Sequence, residues 1–182
     1  MNIFYLHENP QICAQMHIDK HCVKMIIEYA QLMSTAHRVL DGLEYEGRTK
    51  AGRKIKRYLA PDISKEQILY KVCHINHPSS LWVRASDENY KWLYQMWCCL
   101  CDEFTYRYGK IHLTDSKLRR MLKEVPTNIP EKEFTEPTQA MPDDVKVEGD
   151  SKTAYRNYYI KHKKGFASWK KDRQPEWFTA NG

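Results

Sequence analysis

From Gln11 to Leu40 the sequence repeats apolar residues at steps of three and four. Cys22, Met25, Ile26, Tyr29, Met33, Ala36 and Leu40 fall on one stripe, which a helix buries along a single face. Asp41-Gly42 closes the run, with glycine at a C-cap position. A second helix is expected from Ser64, where Gln67 completes a capping box, to just before His77-Pro78, because the residue preceding proline avoids helical angles. A third has Ser86 as its cap, Asp87 and Glu88 complementing the positive end of the dipole, and Gly109 as terminator. Leu93, Trp97, Leu100 and Phe104 give its buried face.

A short fourth helix should follow Asp115, carrying Leu118, Met121 and Leu122. Residues 125–150 hold four of the eight prolines and read as an extended connector over the surface. A fifth helix, Ser151 to Lys164, presents Tyr155, Tyr158 and Tyr159. The opening NIFYL is either a short strand or an extended lead-in. Residues 42–61, polar, basic and glycine-containing, read as an exposed loop. No internal repeat and no further alternation of apolar and polar residues is evident. The expected fold is therefore mainly α, with little or no β. It is a compact single domain over 1–182, with a long Pro-rich connector and a basic, aromatic C-terminal segment from 151.

A chain of 182 residues can bury a sizeable core, and 12% aromatic residues argue against disorder. No apolar run approaches the roughly 18 residues of a membrane span, and MNIFYLHENP has no signal-peptide pattern. The expectation is a cytoplasmic protein, in a bacterial host cell if phage-encoded, with no membrane partner. Six cysteines without a leader read as reduced thiols, not a disulfide framework.

The net charge is +6, and its distribution is uneven. RTKAGRKIKR, residues 48–57, holds six basic residues and no acid. Residues 151–174 carry eight basic residues against Asp172, a net +7, whereas residues 131–150 carry seven acids against two lysines, a net −5. Clustered positive charge suits a phosphate-binding surface. The tail AYRNYYIKHKKGFASWKKDRQPEWF interleaves rings with bases, and rings can stack on exposed nucleobases. Arg84, Arg107, Lys110, Arg156, Lys161, Lys163 and Lys164 are the candidate phosphate contacts.

On the first helix His17, His21, Lys24 and Glu28 follow steps of four, three and four and stay within about 60° of one another. Their ridge lies at the edge of the apolar stripe, where a cleft can form, and it supplies general acid–base and nucleophilic groups. His17 and His21 also have the spacing of zinc-binding helices. HIDKH lacks the glutamate of HExxH, and no third ligand is evident, so no metal is expected. No Walker loop, GxGxxG, GxSxG or kinase signature is present, and no cofactor is expected.

Three stretches taken together carry a resemblance: the helix QMHIDKHCVKMIIEYAQLMSTAH, the central HP with the long helix ending DEFTYRYGKIH, and the aromatic-basic tail. Over most of its length the chain resembles small bacteriophage and bacterial pyrimidine-dimer DNA glycosylases of the endonuclease V type. The resemblance implies a compact helical enzyme that bends duplex DNA and flips a base out. It implies an N-terminal α-amine that attacks the sugar C1′ to form an imine, and a glutamate on the first long helix that stabilises the sugar and helps strand cleavage. Here Glu28 matches the glutamate and Met1 the amine. An α-amine titrates near 8, far below lysine, so from about a tenth to a half of it is neutral and nucleophilic at pH 7–8. The family's amine belongs to a small residue exposed by removal of methionine, whereas residue 2 here is Asn, which discourages removal. Met1, Lys20 and Lys24 therefore all stand as candidate nucleophiles. A non-catalytic phage protein that binds nucleic acid, or that takes a host defence factor as its protein partner and blocks it, accounts for the charge without chemistry. An enzyme acting on free nucleotides accounts for the ridge.

Overall fold

The computed structural model describes residues 1–179. The helices are α1 (Pro10–Gln15), α2 (Asp19–Asp41), α3 (Ile63–Ile68), α4 (Pro78–Ala85), α5 (Asp87–Tyr108), α6 (Leu113–Leu122), α7 (Ser151–Tyr158) and α8 (Glu176–Thr179). Strands β1 (Leu43–Arg48) and β2 (Lys54–Leu59) pair antiparallel, with Leu43 opposite Leu59 and Arg48 opposite Lys54. The fold is mainly α and compact. Among the described residues no helix is long and apolar enough to cross a membrane.

Helices α2 and α5 form the centre. The apolar stripe of α2 is buried from Cys22 to Ala36, with Leu40 at its margin, and meets Leu93, Trp97, Leu100 and Phe104 of α5. Trp97 Nε1–H donates to the Ile26 carbonyl at 2.9 Å, so the largest ring of the core is also hydrogen-bonded. Ser86 caps α5 through the amides of Glu88 and Asn89, and Gly109 ends it at φ 67°, where a Cβ would be strained. Gly42 answers a different need. A Cβ there would lie 2.1 Å from the Leu59 carbonyl oxygen and 2.3 Å from that of Arg38, so only glycine lets the hairpin root meet the end of α2.

The N-terminal segment is extended and pairs with no strand. Ile3, Phe4, Tyr5 and Leu6 are buried. The Phe4 amide donates to the Tyr29 hydroxyl, the Leu6 amide to Cys13 Sγ, and Arg156 Nε–H to the Leu6 carbonyl. The connector is likewise extended, apart from a 3₁₀ turn at Asp143–Val145. Trp82, Asn89 and Tyr155 bond to its backbone or side chains at Thr135 and Thr138.

Several boundaries differ from the sequence reading. The first helix is two, broken at Met16–Ile18, because distant side chains capture its carbonyls. Arg107 donates to Gln15 and His17, and Trp169 to Met16. His17 thereby leaves α2. The expected loop over 42–61 is the hairpin, whose strands expose both faces and so show no burial alternation. The helix expected from Ser64 to His77 is only α3. Asp62, not Ser64, caps it by accepting from the Lys65 amide. Pro78 opens α4, which His77 caps. Helix α6 begins two residues before Asp115, capped by His112. The fifth helix continues past Tyr158 only as a wide π turn, Tyr159–Lys163, and a 3₁₀ turn to Phe166.

Candidate active site

Where the N-terminal segment crosses α2, an open cleft of about 310 Å³ forms. Helix α2 supplies His21, Lys24, Met25 and Glu28. The N-terminal segment supplies Met1, Asn2 and Phe4, the connector Ala140, and the end of the fifth helix Tyr158 and Lys163. The Met1 side chain is almost fully buried, which fixes the position of its α-amine. That nitrogen lies 3.7 Å from Glu28 Oε2, and Lys24 Nζ lies 3.1 Å from Glu28 Oε1. Two amines thus share one carboxylate that remains partly open to solvent.

His21 forms the floor. Its ring stacks on Phe4 with centroids 4.1 Å apart, and Nδ1 is 2.8 Å from the Tyr159 hydroxyl. Burial, then the charges of His17, Lys163 and Lys24, lowers its pKa to about 2, so the imidazole is neutral at neutral pH. Lys163 Nζ stands 4.6 Å above the Tyr158 ring, a cation–π contact at the rim.

The segment 73–77, which the sequence reading left outside the site, flanks the amine. Burial, then the Met1 amine and His74, lower the pKa of His77, while Glu28 opposes them. His77 Nδ1 accepts from the Ser79 amide, which leaves the hydrogen of the neutral ring on Nε2. Neighbouring His74 holds the left-handed φ of 48°, uncommon for a residue with a side chain. No local signal marks this placement, because it depends on how α3 and α4 pack on α2.

The remaining candidates fall in different places. His17 is fully buried, bonded to the Tyr29 hydroxyl and the Cys13 carbonyl, and burial lowers its pKa to about 4. It supports the core under the N-terminal segment and is not in the cleft. Lys20 sits over Phe166 at 4.8 Å, beside the cleft. Arg107 is wholly buried among Glu103, Asp19 and two carbonyls, which leaves it no face for a phosphate. Arg156 is half-buried between the Leu6 carbonyl and the Trp177 ring. Arg84 is half-buried against Ser80. Lys161 pairs with Asp144 at 2.7 Å, and Lys164 is exposed. Lys110 is exposed in a separate groove with Val23, Ile111 and Leu113.

Among the described residues no group of three or more histidine, cysteine or acidic side chains is placed to hold a metal ion. The described cysteines are free. Burial raises the thiol of Cys13 to about 11 and that of Cys22 to about 12, so both stay protonated. The cleft offers a primary amine, a carboxylate and flanking cations, a set suited to imine chemistry on an anionic substrate. Comparison with protein-family models, curated proteins and solved structures found no match.

Proposed function

We propose that the chain is a base-excision enzyme acting on duplex DNA, a glycosylase with abasic-site lyase activity. The Met1 α-amine is the nucleophile and Glu28 its partner carboxylate. The single observation that carries this reading is their 3.7 Å approach in a solvent-open cleft rimmed by Lys24 and Lys163. A free α-amine could be merely a chain end. This one is anchored by a buried side chain and aimed at a carboxylate.

The neutral amine attacks C1′ of the flipped nucleotide, and the base departs with the electron pair of the glycosidic bond. The attacking nitrogen loses a proton to Glu28, which returns it to O4′ as the C1′–O4′ bond opens, giving the protonated imine and restoring the carboxylate. Glu28 then faces that cation as a fixed negative charge. Loss of a C2′ proton expels the 3′ phosphate, and water releases the enzyme. Lys24 and Lys163 hold the flanking phosphates, while neutral His21 shapes the floor.

Borohydride trapping on an abasic duplex, with mass spectrometry of the adduct, tests the proposal. An adduct mapped to Met1, with cleavage lost in Glu28→Gln, is the expected result. An adduct on Lys24 or Lys20 moves the nucleophile to that residue. Steep salt-dependent binding with neither adduct nor cleavage would overturn the enzymatic reading in favour of a binding protein.

A further inference from the structure

The basic run Arg48–Arg57 covers the turn of the β1–β2 hairpin and most of β2, where nearly every residue is exposed. Over residues 43–59 there are six basic side chains and two acids, a net +4. The acids do not neutralise the tip. Glu46 pairs with Lys54 at 3.0 Å and Glu44 with Lys56 at 2.8 Å, both on one face. Among the described residues no carboxylate pairs with Arg48, Lys50, Arg53 or Arg57. Arg48 and Arg57 instead bond backbone carbonyls of the hairpin itself, Gly52 and Arg48 respectively. These bonds pre-form the ribbon and leave the remaining guanidinium donors outward.

The ribbon is also rigidly rooted. Arg38, fully buried at the end of α2, donates to the carbonyls of Tyr58, Leu69 and Tyr70 and pairs with Glu66. Arg38 lies ten residues beyond Glu28, about 15 Å along the helix. Residues 71–73 link the surroundings of the hairpin and of the cleft. Lys71 and Val72 line a crevice with Tyr45, Ile55 and Arg57, and Cys73 next in sequence lies within the field of Glu28 and the Met1 amine.

We propose that this hairpin is a second DNA-binding element, which grips the phosphate backbone of the duplex flanking the nucleotide held in the cleft. The inference rests on the DNA-acting reading above and adds to it a second contact with the same duplex, on a ribbon rooted about 15 Å along α2 from Glu28. A twisted two-stranded ribbon has the cross-section that a duplex groove admits, and Arg48, Lys50 and Arg53 at the tip, with Arg57 along β2, supply the charge. Leu43, Tyr45, Ile55 and Leu59 lie on the opposite face, together with Arg57.

The test is a salt titration of binding to an undamaged duplex of about 20 base pairs, followed by fluorescence anisotropy. It uses the unaltered chain and R48Q/K50Q/R53Q/R57Q. With about 0.9 in log–log slope for each neutralised phosphate, the quadruple variant should lose roughly 3 to 4 from the slope. A second variant replaces residues 49–53 with Asn-Gly, which closes the Arg48–Lys54 pair with a two-residue turn and should lose roughly 2. If the unaltered chain binds and both hairpin variants keep its slope, the hairpin proposal is overturned while the cleft reading stands. If the unaltered chain shows no salt-dependent binding, both fall. Borohydride trapping on the quadruple variant separates the two sites, since an adduct at high protein concentration shows that the cleft is intact.

Discussion

Helix α2 carries two groupings of cation and carboxylate, one at its middle and one near its C-terminal end, and they are built in opposite ways. At Arg38 the guanidinium is wholly buried and saturated by the carbonyls of Tyr58, Glu66, Leu69 and Tyr70 together with the Glu66 carboxylate. At Glu28 the carboxylate is partly open and shared between two amines at 3.1 and 3.7 Å. A charge whose donors are all committed has no capacity left for a ligand. One whose partners stand at the edge of hydrogen-bonding range, with solvent beside them, can exchange those partners for a substrate. The first arrangement holds a fold together, and the second leaves room for chemistry. Arg107 belongs with the first kind, which is why a basic residue at the end of α5 is no phosphate contact.

The largest effect that sharpens this contrast is expected from Arg38→Met. Removing one partner of a buried charge network costs about 3–5 kcal/mol. Denaturant unfolding should show that loss, while strand cleavage at permissive temperature persists. Loss of cleavage with unchanged stability would reverse the two roles. Glu28→Gln should do the opposite, lowering abasic-site cleavage by about 100-fold or more. Its stability should change by less than about 1 kcal/mol, and a larger cost in urea would make Glu28 structural.

Acid separates the regions further. The folded-state pKa values of His17 and His37 are held near 4 by burial, below the ordinary 6.5. Protonation therefore favours the unfolded chain. Their stability is fully present above about pH 6.5 and is lost as pH falls toward 4. For His17 alone the loss between pH 7 and pH 5 is about 2 kcal/mol. Glu66, lowered to about 2 chiefly by hydrogen bonds from Ala60, Lys71 and Arg38 against the cost of burial, acts only between about 4.5 and 2. Melting temperature should thus fall by several degrees from pH 7 to pH 5, and His17→Gln should flatten that slope. A flat profile in the unaltered protein contradicts the buried neutral imidazoles. The smallest effect belongs to Lys24→Gln, which removes an exposed i,i+4 pair worth a few tenths of a kcal/mol. Trapping at Met1 should survive it, and complete loss would make Lys24 the reacting amine.

How far the sequence spoke for itself varied with how local each interaction is. Helix α5 was legible throughout, because Ser86, Asp87, Glu88 and Gly109 act on their own turn. The stripe of α2 was legible as well, but the break at Met16–Ile18 was not, since Arg107 and Trp169 reach it from 90 and 153 residues away. The hairpin was hidden because a ribbon exposed on both faces has no buried side to impose a pattern. For the candidate site, the spacing of His21, Lys24 and Glu28 survives in the structure, whereas His17 was drawn into the core by Tyr29. The proximity of the Met1 amine to Glu28 was implied by resemblance alone. His74 and His77 gave no signal, as only packing brings their turn alongside.

The bond from Arg156 to the Leu6 carbonyl joins residues 150 positions apart. During synthesis the amine-bearing end emerges before one of the side chains that fix it. At roughly 5–20 residues per second, about 8–30 s separate the two. The N-terminus therefore waits, and a chain interrupted before α7 carries Met1 and Glu28 without the bond that anchors the segment bearing the amine. Under the proposed function, chains cut short before Arg156 should bind DNA without cutting it.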